Sequence, residues 1–170
     1  MAKRRLYLFL HWIPAIIGVT VIIIESTGTM SSANTSRWLL PIWIKLFGPI
    51  TPDRWAVVHH WIRKTGHFVG YGLVSLGFFE GWRATFSGKG KAKGRLFAMV
   101  APLALVCTLA LASWDEWHQS LLPGRTSKIS DVGIDLSGAI VAHLLLLLVL
   151  LVVWRVRAAR KATPDPEGIH

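Results

Sequence analysis

Apolar residues fall in four runs, at 6–24, 65–82, 96–114 and 132–154, with polar or glycine-rich stretches between them. Within each run they are bunched rather than spaced, and each run is close to the roughly 17–25 residues a helix needs to cross a bilayer core. The pattern predicts an all-α membrane protein with four transmembrane helices. A short interfacial helix or re-entrant segment is expected in the first outer loop. The first run follows a short basic start, and Pro14 is expected to kink it. A signal peptide cut near Ser31-Ser32-Ala33 is set aside, because the 6–24 run exceeds an h-region of about 7–15 residues. A polar Ser/Thr/Gly loop is expected at 26–37. From Trp38 to Trp61 the chain is aromatic and broken by Pro41, Pro49 and Pro52. Its tryptophans suit a membrane interface, where the ring is apolar and the N–H wet. This predicts a short surface helix at 38–48. A second helix should then run into the 65–82 span, with Thr51 as N-cap and Pro52 at its first position. Ser87-Gly88-Lys89-Gly90-Lys91 reads as a loop, Pro123-Gly124 as a turn within a polar connection at 115–130, and Ser130 as the N-cap of the last span. One domain, 1–157, is expected, with a disordered tail at 158–170.

Composition sharpens the class. The chain has 170 residues, 52% of them hydrophobic and 16% charged, against about 25% charged in a soluble domain. Its mean hydropathy is +0.46. A disordered chain and an ordinary soluble enzyme are both excluded. The net charge of +10 invites a nucleic-acid partner, but no basic helix or aromatic platform stands outside the apolar segments, so none is expected. Twelve of the nineteen basic residues instead lie at alternate ends of the runs, in 3–5, 83–95 and 155–161. Cytoplasmic loops carry such an excess, so both termini and the 83–95 loop are expected in the cytoplasm, with 25–63 and 115–131 facing outward. Cys107 is the only cysteine. It leaves no disulfide and no thiol metal or redox spacing, and reads as a small buried hydrophobe. No cofactor and no metal are expected.

Ionisable residues in or beside spans are costly in lipid and are functional candidates by default. Six of the nine acidic residues (Glu25, Asp53, Asp115, Glu116, Asp131 and Asp135) fall at the outward end. At 100° per residue, Lys64, His67, Tyr71 and Ser75 share an arc of about 80° on the second helix. Gly66, Gly70, Gly77 and Gly81 take another arc, at a spacing that lets helices approach closely. Asp115 and Gln119 share a face of the third helix with Thr108 and Ala112, and His118 lies to one side. Asp131 and Asp135 are one turn apart at the start of the fourth helix. Their carboxylates gain from its N-terminal dipole, and Asp135 needs a partner from Lys64, His67 or Arg125. The opposing interpretation is an ion-pair network that only holds helices together, although burying many charges stabilises a bundle poorly. His143 is expected to be packed or bonded to backbone, adjacent His59 and His60 to diverge, Glu25 to close the site or face water, and Glu80 to pair with Arg83 or Arg95.

The run Arg63-Lys64-Thr65-Gly66-His67-Phe68-Val69-Gly70-Tyr71 resembles the Lys-x-x-His-Phe-x-x-Tyr signature of VanZ-like membrane proteins. Asp115-Glu116-Trp117-His118-Gln119, Pro123-Gly124-Arg125-Thr126 and Asp131 through Gly138 resemble that family's second block. The similarity covers about 60–154 in order and spacing. It departs at Arg63, where relatives commonly carry Asp, and at Asp135, where they commonly carry Asn. The family's namesake is associated with low-level resistance to teicoplanin, a lipoglycopeptide acting on cell-wall precursors. The resemblance therefore implies an envelope or lipid-related role in the cytoplasmic membrane of a bacterium.

Together these readings predict a polar cleft at the outer leaflet that binds an anionic lipid or a lipid-linked envelope precursor. Lys64 and Arg125 would engage phosphate, Arg through its bidentate fork. Asp115, Glu116, Asp131 and Asp135 would orient those cations and bond sugar or amide groups, and His67, Tyr71 and Gln119 would complete the lining. The alternatives are an intramembrane hydrolase or transferase, with His67 or His118 as general base or carboxylates holding a divalent metal, and a small transporter built as a homo-oligomer.

Overall fold

The computed structural model describes residues 2–87, 93–123, 125 and 127–162. Helix dominates them, in the order α1 (Ala2–Ser26), a 3₁₀ turn at Gly28–Met30, α2 (Ser32–Phe47), α3 (Pro52–Phe86), α4 (Lys93–Ser120) and α5 (Ile129–Ala162). The expected loop at 88–91, Gly124 of the expected turn, Thr126 and the tail beyond 162 lie outside the described residues.

Local chemistry sets the element ends. The Ser31 side chain accepts from the Asn34 amide and caps α2, so the expected loop at 26–37 is helical over much of its length. Gly48 ends α2 at φ +88°, a conformation a side chain would oppose. Pro52 opens α3 as expected, although the Thr51 hydroxyl makes no capping bond. Helix α5 begins at Ile129, one residue before Ser130, which is therefore inside the helix and not its cap. At its far end α5 continues through Ala158-Ala159-Arg160-Lys161-Ala162, all strong helix formers. Residues 158–162 of the expected tail are therefore helical.

Among the described residues three helices are long and apolar enough to cross a membrane, within Ala2–Ser26, Gly94–Ser120 and Ile129–Arg160. The expectation of four such spans is corrected to three. The 65–82 segment lies within the continuous helix α3, but His67, Glu80 and five glycines dilute its apolar content. Its setting explains the dilution, because α3 packs against α1, α4 and α5. Neighbouring helices surround much of its surface.

The helices alternate in direction. Ser26 at the end of α1 bonds His118 near the end of α4, while Trp12 near the start of α1 donates to Thr85 near the end of α3. The ends of α1 and α4 thus meet the starts of α3 and α5. Glycines set the close contacts. A Cβ on Gly77 would lie 2.8 Å from the Ala15 nitrogen, and one on Gly81 would strike the Trp12 ring. Gly66 and Gly70 meet nothing within 4 Å, so only half of the expected glycine face packs. The glycine contact with α5 is made instead by Gly72, which opposes Gly138, itself packed on the Phe68 backbone. Cys107 is half-buried rather than buried.

Candidate functional site

The stripe on α3 meets acidic partners along its length. Lys64 forms an ion pair with Asp131. One turn further along, His67 Nδ1 lies 3.4 Å from Asp135 Oδ1. A turn beyond, the Tyr71 hydroxyl donates to Asp115 Oδ2 at 2.9 Å. Ser75 is fully buried, and among the described residues its hydroxyl has no partner. The Gly72–Gly138 approach holds α3 and α5 close enough for these contacts. Asp135 has no exposed surface; His67 is its ion-pair contact, and among the described residues neither of its carboxylate oxygens has a hydrogen-bond partner.

On α4 the expected face is real and buried, comprising Thr108, Ala112, Asp115 and Gln119. Gln119 donates to Asp115 Oδ2 at 3.0 Å, from the same side as Tyr71. The other Asp115 oxygen has no hydrogen-bond partner among the described residues. Glu116 accepts from the Lys128 backbone amide at 2.9 Å and anchors the α4–α5 loop.

Arg125 departs from expectation. Its Nη2 donates to the carbonyls of Glu25 and Thr27, and among the described residues it forms no carboxylate ion pair. The carbonyls at the end of an α-helix lack intrahelical partners, and Arg125 satisfies them at the end of α1. Glu25 itself is exposed. His118 is held by Ser26 at 2.7 Å and stacks on Trp114. His143 donates to the Ala139 carbonyl at 2.9 Å, the backbone bond expected of it, and Glu80 pairs with Arg83.

Above the stripe is a cavity of about 470 Å³ between α2, α3 and the α4–α5 loop. Five of the nine candidate residues line it: Lys64, His67, Gln119, Arg125 and Asp131. Tyr71, Asp115, Glu116 and Asp135 do not. They stand behind that wall and fix its shape. Sequence reasoning missed Arg63, Lys128, Trp55, Ser32 and Ser36, and gave His59 and His60 no place in the lining. The signal for the α3 members was present, because His59 and Arg63 continue the stripe upward from His67 at four-residue spacing.

Among the described residues the upper wall is fastened by hydrogen bonds rather than carboxylate ion pairs. His59 is 4% exposed. Its Nε2 lies 3.1 Å from Thr35 Oγ1 and its Nδ1 lies 3.5 Å from Ser32 Oγ. Trp55 Nε1 donates to Ser36 at 2.6 Å. Arg63 Nη1 donates to the Met30 carbonyl at 3.0 Å and to Thr35 Oγ1 at 3.4 Å. Adjacent residues His59 and His60 do diverge, since one is buried and the other exposed. Among the described residues no three His, Cys, Asp or Glu side chains come together as metal ligands.

The cavity is electropositive. Its lining carries four fixed cations (Arg63, Lys64, Arg125 and Lys128) and one carboxylate, Asp131, which Lys64 already neutralises. Burial pushes the guanidinium of Arg63 below its usual range, with Glu25 and Asp131 opposing the shift. Burial, and then the charge of Arg63, do the same to Arg125. His59 is lowered by burial and then by Arg63. An anion placed among these groups would relieve all three.

A model of the family described as VanZ/LLP1 matches residues 9–151. No curated protein and no solved structure matches the chain.

Proposed function

The chain belongs to the VanZ/LLP1 family, and from that premise we propose that it binds the anionic headgroup of a lipid or lipid-linked envelope molecule. On this reading α3 crosses the membrane beside the three apolar helices, and the chain is a multi-pass protein of the bacterial cytoplasmic membrane with both termini on the cytoplasmic side. The cavity then opens at the outer leaflet. The observation that carries the reading is the excess of lining cations, since Arg63, Arg125 and Lys128 have no carboxylate partner among the described residues. Arg63 and Arg125 hold fixed positions through carbonyl bonds and keep further N–H groups for phosphate. A contribution to glycopeptide resistance of the teicoplanin type fits this reading, because lipid-linked precursors are that drug's territory.

Lys128 offers the cleanest test, because it is exposed and its ammonium has no partner among the described residues. Lys128→Gln should weaken binding of a short-chain phosphatidate by about two- to fivefold, the scale of one solvent-accessible ion pair. The melting temperature in neutral detergent should not move. Unchanged affinity in this variant would remove the cavity from the reading.

One observation favours a second reading, a hydrolase or transferase acting on the headgroup. His67 lines the cavity and is backed by the buried carboxylate of Asp135, an arrangement that orients an imidazole as general base. Release of inorganic phosphate from the same phosphatidate, lost in His67→Gln, would establish it over simple binding.

A further inference from the structure

A second cavity, of about 210 Å³, adjoins the first, and the two share Arg63 and His67 as wall. Its character is different. Met30, Trp38, Leu39 and Ile62 line it, together with bare backbone at Gly66. Trp38 is 50% exposed and Ile62 38%, so the slot opens on the apolar flank of the bundle. A Cβ built on Gly66 meets nothing within 4 Å, and the helix there has ordinary negative φ. The absence of a side chain therefore serves no close helix contact and leaves open space in the slot. Glu25 and Thr35 are its other polar residues. The Thr35 oxygen is occupied by His59 and Arg63, while the Glu25 carboxylate would repel a phosphate.

Charge and polarity thus change across one wall. Cations gather on one side of Arg63, and apolar side chains with a single carboxylate gather on the other. Arg63 is pinned at the junction by the Met30 carbonyl and Thr35. A ligand with one anionic end and one hydrocarbon end has a single favourable orientation here.

We propose that the slot takes the first methylenes of a hydrocarbon chain whose phosphate sits in the larger cavity, with Gly66 as the residue that admits the chain. The ligand class is then a phosphate ester of a long-chain alcohol or lipid, entering sideways from the bilayer, and not free phosphate or a sugar phosphate. This rests on the headgroup-binding reading above and adds the chain to it.

The test uses the full chain in neutral detergent with inorganic, ethyl, butyl and hexyl phosphate as probes. Affinity of the wild type should climb by about fourfold for each methylene buried, until the slot is full. Gly66→Leu should bind inorganic and ethyl phosphate as the wild type does, but lose the climb from butyl to hexyl. Partition of the esters into detergent is common to both proteins and cancels in the comparison. Leu39→Gln makes the opposite wall polar and should flatten the series in the same way, so the test survives if Gly66→Leu does not fold. A flat series in the wild type, or an equal climb in both variants, overturns the slot while leaving the headgroup reading intact. Failure of every probe, inorganic phosphate included, to bind the wild type overturns the headgroup reading itself.

Discussion

His59 sits between two hydroxyls and a guanidinium, and that setting decides its proton count. Burial and the Arg63 charge hold its pKa below the ordinary histidine value of 6.5, so the folded chain keeps it neutral where the unfolded chain begins to protonate. The unfolded state then binds more protons below that pH, and stability must fall as pH drops. Thermal stability in detergent should be flat above pH 7 and decline as pH falls through 6.5 toward the lowered folded value. His59→Gln should remove much of that decline; an unaltered pH profile in this variant would show that His59 is not its source. Behind the cavity, Asp115 depends on neutral donors. Tyr71→Phe would leave its Oδ2 with Gln119 alone in a fully buried position, which should cost about 1–3 kcal/mol. Chemical unfolding monitored by tryptophan fluorescence would measure it, and a loss below a few tenths would mean that water reaches Asp115.

At the scale of helices, the glycines divide into two kinds that sequence spacing does not separate. Gly138 packs on the Phe68 carbonyl and faces Gly72, so a methyl group there must push α3 and α5 apart. Gly138→Ala should destabilise by about 1–3 kcal/mol, the usual range for overpacking, and should loosen the His67–Asp135 contact with it. Gly70→Ala enters open space and should be neutral or stabilising by about 0.5–1 kcal/mol through helix propensity. Equal losses in the two variants, by the same unfolding measurement, would refute the distinction. The same division describes what was legible beforehand. Helical periodicity alone placed Lys64, His67 and Tyr71 on one face of α3, and Asp115 and Gln119 on one face of α4, because period is a property of a single helix. It did not reveal that Gly72, rather than Gly66 or Gly70, meets α5, because that depends on how neighbouring helices are rotated. The anchoring of Arg125 was not legible for a related reason: its partners are backbone carbonyls at the end of α1, and the identity of the residues there says nothing about an unpaired carbonyl. The second apolar run, 65–82, is not apolar enough to count as a span because of its burial. A helix enclosed by others can dispense with the uniform hydrophobicity that lipid demands.

For the whole molecule, charge distribution ties the site to orientation. By sequence, twelve of the nineteen basic residues belong to the segments 3–5, 83–95 and 155–161, and the other seven belong to segments at the cavity end. Counted that way the asymmetry is modest. Four of those seven (Arg63, Lys64, Arg125 and Lys128) line the cavity, leaving only Arg37, Lys45 and Arg54 at that end unassigned. If the lining cations are held there for an anion, they are not a topological signal, and the contrast sharpens to twelve against three. Since Lys and Arg excess marks the cytoplasmic side, the cavity should face outward. In a Cys107→Ser background, Thr29→Cys and Ser130→Cys, both exposed at the cavity end, should react with an impermeant thiol reagent in intact cells. Ala158→Cys, exposed at the far end of α5, should react only after the membrane is opened. The reverse pattern would place the cavity in the cytoplasmic leaflet. The electropositive lining would then have to serve an anion supplied from inside the cell, and an outward-facing lipid-linked precursor would no longer be within its reach.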